Sequence, residues 1–124
     1  MKRLNYENIV EEFKKLSGLG DDAHPELLTP VLHNTFILER EIDESRCTKD
    51  DYRSLEYAAA VCAYYEYIMG EKARYIMAQR QLGIFPETEK YDTQMDYLKK
   101  LRLQVLAEVA HLLTDGSFLF MLVG

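Results

Sequence analysis

The chain has 124 residues, 48% hydrophobic and 29% charged, with a formal net charge of −6. That is enough for one globular domain over 1–124 with one core, and too apolar for a disordered chain. The negative balance argues against binding nucleic acid through a broad basic surface, leaving only a small basic cluster at Lys99, Lys100 and Arg102.

Residues 4–16 carry Leu4, Ile9, Val10, Phe13 and Leu16 at helical spacing, with Asn5 as N-cap and Lys14 and Lys15 near the end. SGLGDD at 17–22 breaks that helix. The second helical region admits two starts. Either Pro25 opens it and Pro30 makes an irregularity, or Thr29 caps it with Pro30 in the first position. The preferred reading is one region over about 25–43, with Leu28, Val31, Leu32, Phe36, Leu38 and Ile42 as its apolar set.

The stretch 48–69 organises the rest. Thr48 and Asp51 form a capping box, Asp50 and Asp51 suit the positive helix end, and Gly70 is the expected stop. Its apolar residues make two arcs: Leu55, Ala58, Ala59, Cys62, Tyr65 and Met69 on one, Tyr57, Val61, Tyr64 and Ile68 on the other. Only Arg53, Glu56 and the neighbourhood of Tyr67 are expected to be wet, so this is a buried central helix.

Beyond Gly70 the periodicity weakens. Residues 71–92 are read as a long loop. That stretch could begin as a helical extension, or 74–85 could hold a short strand around Tyr75, Ile76, Ile84 and Phe85. The last long helix is expected over 93–113, capped by Asp92, with Met95, Leu98, Leu101, Val105, Leu106, Val109, Leu112 and Leu113 on one face. SFLFMLV at 117–123 is strand-like and far too short to cross a bilayer. It must pair with 74–85, pack on the helices or pair with another chain, because extended backbone needs partners. The expected fold class is therefore all-α, mainly: about four helices in a small bundle with a short extended C-terminal tail.

Candidate chemistry is sparse. Glu108 and His111 form one ExxH unit, where a di-iron bundle needs two copies and two further glutamates; with Lys100 and Gln104 it reads as a solvated face. His24, His33 and His111 are the only histidines, and nothing in their spacing favours a zinc site. Cys47 and Cys62 form no CxxC and read as reduced thiols, Cys62 in the core. No serine has a GxSxG context and no glycine-rich loop fits a phosphate. No catalytic residue, cofactor or metal is assigned, and the N-terminus does not read as a secretory leader.

Five of the nine tyrosines, Tyr52, Tyr57, Tyr64, Tyr65 and Tyr67, lie on the central helix. They suit core packing with hydroxyls at the surface, or a subunit interface. Tyr57, Tyr64, Tyr67, Phe118 and Phe120 are the candidate interaction residues.

The run 52–70, YRSLEYAAAVCAYYEYIMG, with 97–124, resembles the small helical head–tail connector proteins of tailed bacteriophages and prophages. That family has an "RLEYAAA"-like helix start and an "LL-D--F-F" ending, matched here by Leu112, Leu113, Asp115, Phe118 and Phe120. Residues 71–92 depart from its pattern in their charge. The resemblance implies a structural protein and no enzyme. It implies a homo-oligomeric ring between portal and tail proteins through which DNA passes without being specifically bound, with no membrane partner. It places the chain in the virion or in the cytoplasm of a bacterium carrying the prophage. The alternative is a small helical metal-binding or adaptor protein of the bacterial cytoplasm.

Overall fold

A computed structural model describes residues 4–19 and 28–114. Among them are four α-helices: α1 (Tyr6–Ser17), α2 (Thr29–Glu41), α3 (Lys49–Gln81) and α4 (Glu89–Val109). Single 3-10 turns at Glu44–Arg46 and Ala110–Leu112 complete the order. The fold is an all-α bundle built on α3, against which α1, α2 and α4 all pack.

Local sequence explains the helix ends. The Asn5 side chain accepts from the Asn8 N–H at 3.2 Å, and Gly18, at φ 74°, closes α1 by donating its N–H to the Lys14 carbonyl at 2.9 Å. Ile9 and Phe13, four apart on one face, are fully buried. α2 begins at Thr29 with Pro30 in its first turn, where a missing N–H costs nothing. The alternative start at Pro25 falls outside the described residues. In α2, Val31, Thr35 and Leu38 face the core, with the Thr35 hydroxyl donating to the Val31 carbonyl. Leu32 and Phe36, expected in the apolar set, point outward instead.

α3 opens on the expected capping box. The Thr48 hydroxyl accepts from the Asp51 N–H at 3.4 Å, and the Asp51 carboxylate accepts from the Thr48 N–H at 2.7 Å. It does not stop at Gly70. It runs 33 residues, about 50 Å at 1.5 Å per residue, so 71–81 is helix rather than loop or strand. A glycine inside a helix costs about 1 kcal/mol relative to alanine. The adjoining EKARYIMAQRQ, rich in strong helix formers, outweighs that single penalty. The true stop is Gly83 at φ 72°. Its N–H donates to Arg80 O at 3.0 Å and the Ile84 N–H to Gln79 O at 2.9 Å, the paired bonds of a Schellman ending.

Seven residues, 82–88, turn the chain back, and α4 returns antiparallel to α3. It starts four residues earlier than the sequence suggests. Asp92 sits in the first turn rather than at the cap, receiving bonds from the Thr88 hydroxyl at 2.9 Å and the Lys72 ammonium at 2.5 Å. α4 ends at Val109, four residues before the expected end, but the expected face still packs: Leu98, Val105, Leu106 and Val109, with Leu112 and Leu113 just beyond the helix, are buried, and Met95 and Leu101 partly so.

Leu55, the run Ala58–Ala63 and Ile68 fill the centre of the core. The alanines let three helices approach α3 closely. Glu56, expected on the wet side, is only 5% exposed. Its carboxylate accepts from the Asn5 N–H at 2.7 Å and the Asn8 side-chain amide at 3.1 Å, clamping the start of α1 to α3. At the base of the bundle Ile42 and Leu113 form an antiparallel bridge, flanked by Asp43 N–H to Leu112 O at 2.9 Å and Thr114 N–H to Glu41 O at 2.7 Å. The Arg46 guanidinium donates to the carbonyls of His111 and Leu113 and closes that end.

Candidate functional site

The tyrosines fall into two environments. Tyr64 is buried, and its hydroxyl accepts from the Gln94 side-chain amide at 2.7 Å. Tyr67 lies stacked beside it, ring centroids 6.4 Å apart and 19° between planes. Both stand nearly perpendicular to the Phe13 ring, in T-shaped pairs with centroids 6.2 and 5.8 Å apart. Tyr57 is half-buried against the core. Tyr64 and Tyr67 therefore hold α1 onto α3, and Tyr64 also ties α4 to it. Burial raises the phenol pKa of Tyr64, and of Tyr67 together with the Glu71 carboxylate, so both stay neutral. Phe118 and Phe120 lie outside the described residues.

Further along α3, Tyr75 meets Tyr91 of α4 at 5.4 Å. With Tyr64, Tyr67, Glu71 and Glu87 they line an open groove of about 550 Å³ between the two helices. Its walls carry both signs of charge: Glu71 is paired with Arg74 at 2.6 Å, and Lys90 stands on the opposite rim.

An exposed apolar surface follows from the helical course of 71–81, which the sequence pattern does not announce. The far end of the α3–α4 hairpin carries Met77, Leu82, Ile84 and Phe85, all exposed, with Leu82 at 72% and Phe85 at 89%. Ile76 and Pro86 adjoin them in a shallow depression rimmed by Lys72 and Arg80. Once 71–81 is helical, that stretch offers no strand edge for the tail to pair with. The residues themselves were visible as β-formers. The missing signal was the strong helix propensity on both sides of Gly70, which carries the chain past the core before it turns.

The polar candidates among the described residues stay apart, and His24 lies outside those residues. Glu108 and His111 are exposed, and Glu108 accepts from Gln104 at 3.4 Å. His33 meets the Glu66 carboxylate at 2.8 Å. Among the described residues no three His, Cys, Asp or Glu side chains converge as metal ligands. Cys62 is buried, its thiol pKa raised by that burial; Cys47 lies partly buried beside the Asp43 carbonyl, its pKa raised by desolvation and by Asp51 and Asp43. Neither is poised as a nucleophile. No helix among the described residues is long and apolar enough to cross a membrane.

No protein-family model, curated protein or solved structure matches this chain.

Proposed function

We propose that this protein is a structural component that works by self-assembly: a head–tail connector of a phage or prophage, forming a ring between portal and tail. The observation that carries the reading is the projecting hairpin. Two helices extend past the shared core and end in Met77, Leu82, Ile84 and Phe85, an apolar cluster that contributes nothing to the core of its own chain. Side chains of this kind, presented together at the end of a rigid arm, lose water only by meeting another surface. The occupant proposed here is a neighbouring copy. A tip that docks on a different patch of the next copy makes a head-to-tail contact, and such contacts generate closed rings when the rotation closes. The resemblance of 52–70 and 97–124 to the connector proteins supplies the same expectation from sequence.

Glu108 and His111 lie on solvent, so the one ExxH unit lends no weight to the metal-binding alternative. Negative-stain electron microscopy of the concentrated protein tests the proposal. Closed rings with a fixed number of subunits are expected. Fields of uniformly small single particles at every concentration, with or without a portal ring added, would overturn it.

A further inference from the structure

The α3–α4 hairpin carries two unlike surfaces. One is the tip, where Leu82, Ile84 and Phe85 are exposed beside the shallow depression rimmed by Lys72 and Arg80. The other is the open groove of about 550 Å³ between the helices, walled by Tyr64, Tyr67, Tyr75 and Tyr91. Successive residues of an α-helix point about 100° apart. On α3, Glu71 and Tyr75 line the groove, while Lys72, Ile76 and Arg80 line the depression. Tip and groove therefore face in different directions. Leu82 lies seven residues, about 10 Å, beyond Tyr75 along the same helix, so a rigid arm cannot lay its tip into its own groove.

The two surfaces complement each other in shape and in charge. Phe85 projects from the turn almost wholly exposed, and the groove is concave and aromatic. An apolar anchor gains most in a pocket that strips its water, and tyrosine is enriched in the walls of such contacts. The groove falls in the size range of pockets that take a small molecule, enough for the Phe85 ring with one aliphatic neighbour. The depression at the tip carries two cations, Lys72 and Arg80. The groove carries two carboxylates, Glu71 and Glu87, with Lys90 beside them. Lys72 is paired with Asp92 and Glu71 with Arg74. Among the described residues the side chains of Arg80 and Glu87 have no ion pair, which leaves them to meet between copies.

We propose that the hairpin tip of one copy seats in the α3–α4 groove of the next, with Phe85 among the tyrosines and Arg80 against Glu87. This rests on the self-assembly reading above and adds to it the receiving surface. Anchor and receptor are different patches, so the contact is head-to-tail: each copy keeps a free tip on one side and a free groove on the other until a ring closes.

Mixing two full-length variants tests it, read by light scattering with a thermal melt of each. Phe85→Asp removes the tip and keeps the groove. Tyr91→Arg fills the groove and keeps the tip. Each is expected to be monomeric alone. Their equimolar mixture should give a species of twice the monomer mass and nothing larger, since one working tip and one working groove remain to meet. Glu87→Arg is a second groove variant, at an exposed position, for the case that Tyr91→Arg melts early. It should weaken assembly about tenfold, and Arg80→Glu in the same chain should restore it. Groove variants that fold and assemble like the natural chain would overturn this inference while self-assembly through the tip stood. So would a mixture that stays monomeric, or a Glu87→Arg loss that Arg80→Glu does not repair. A natural chain that is itself monomeric, with or without a portal ring added, would overturn the self-assembly reading and this inference with it.

Discussion

Residues 55–68 and 69–81 belong to one helix, yet they solve different problems. The first segment buries Leu55, six consecutive residues from Ala58 to Ala63, Tyr64 and Ile68 between three other helices. The second buries none. It is held by helix propensity, by the Glu71–Arg74 and Lys72–Asp92 ion pairs and by Tyr75 against Tyr91. Helical stability in proteins comes mostly from tertiary packing of one face. A helix continued for about three turns beyond its packing is therefore an arm rather than a core element. The contrast teaches where stability ends and presentation begins: near Gly70, the residue that reads as a stop in sequence and as a boundary between environments in structure.

The largest effect that sharpens this contrast is a charge placed in each half. Ala59→Arg puts an unpaired cation into the fully packed half, at a cost of about 3–5 kcal/mol, and thermal unfolding should show a severely destabilised or unfolded chain. Met77→Arg makes the same charge change on the arm and should leave the melting temperature within experimental scatter. A similar loss at both sites would erase the distinction.

Glu56 is the next test. Glu56→Ala removes the acceptor for the Asn5 N–H and the Asn8 amide. Leaving such groups unsatisfied costs about 1–3 kcal/mol. Hydrogen exchange should quicken in α1 first, since that helix loses its clamp while α4 keeps its contacts.

The two glycines of the hairpin should respond with opposite sign. Gly83→Ala forces a side chain into φ 72° and costs about 1 kcal/mol. Gly70→Ala meets only the flexible guanidinium of Arg74, at 3.3 Å, and gains up to about 1 kcal/mol of helix propensity. Calorimetry on the pair checks both directions.

The smallest effect concerns pH. The Thr48 backbone N–H, and then its hydroxyl, hold the Asp51 carboxyl below its usual pKa. A carboxylate lowered in the folded state stabilises above the unfolded value, and that contribution is lost as pH falls from about 4 through the folded value. Asp51→Asn should flatten the acid limb of the stability curve slightly, with a small loss near neutrality that disappears at low pH. Because Asp51 is only partly buried, at the surface end of α3, salt weakens the effect.

The core was legible in the sequence because periodicity and burial coincide there. The Asn5 cap, the Thr48–Asp51 box, the buried face of α4 and the all-α class all come from local patterns that packing reinforces. The arm was not legible, since 71–81 has no buried face and so no helical period in its apolar residues; only propensity marks it. Glu56 was misread for a different reason. Its partners lie at the start of α1, some fifty positions away, and no local pattern announces that a carboxylate will be buried there. Leu32, Phe36 and Met69 fit an apolar stripe by spacing, but the bundle uses only part of each stripe. Tyr64 is buried and Tyr57 and Tyr67 are partly buried against the core, while Leu82, Ile84 and Phe85 are among the exposed apolar residues.

The most direct test of the central claim is light scattering across a concentration series on the natural chain and on Phe85→Asp, with a thermal melt of each. The account predicts a discrete oligomer for the natural chain, a monomer for Phe85→Asp, and melting curves that coincide once both are dilute. A natural chain that stays monomeric throughout, with or without a portal ring added, or a Phe85→Asp chain that unfolds, would contradict the assignment of the hairpin tip to assembly.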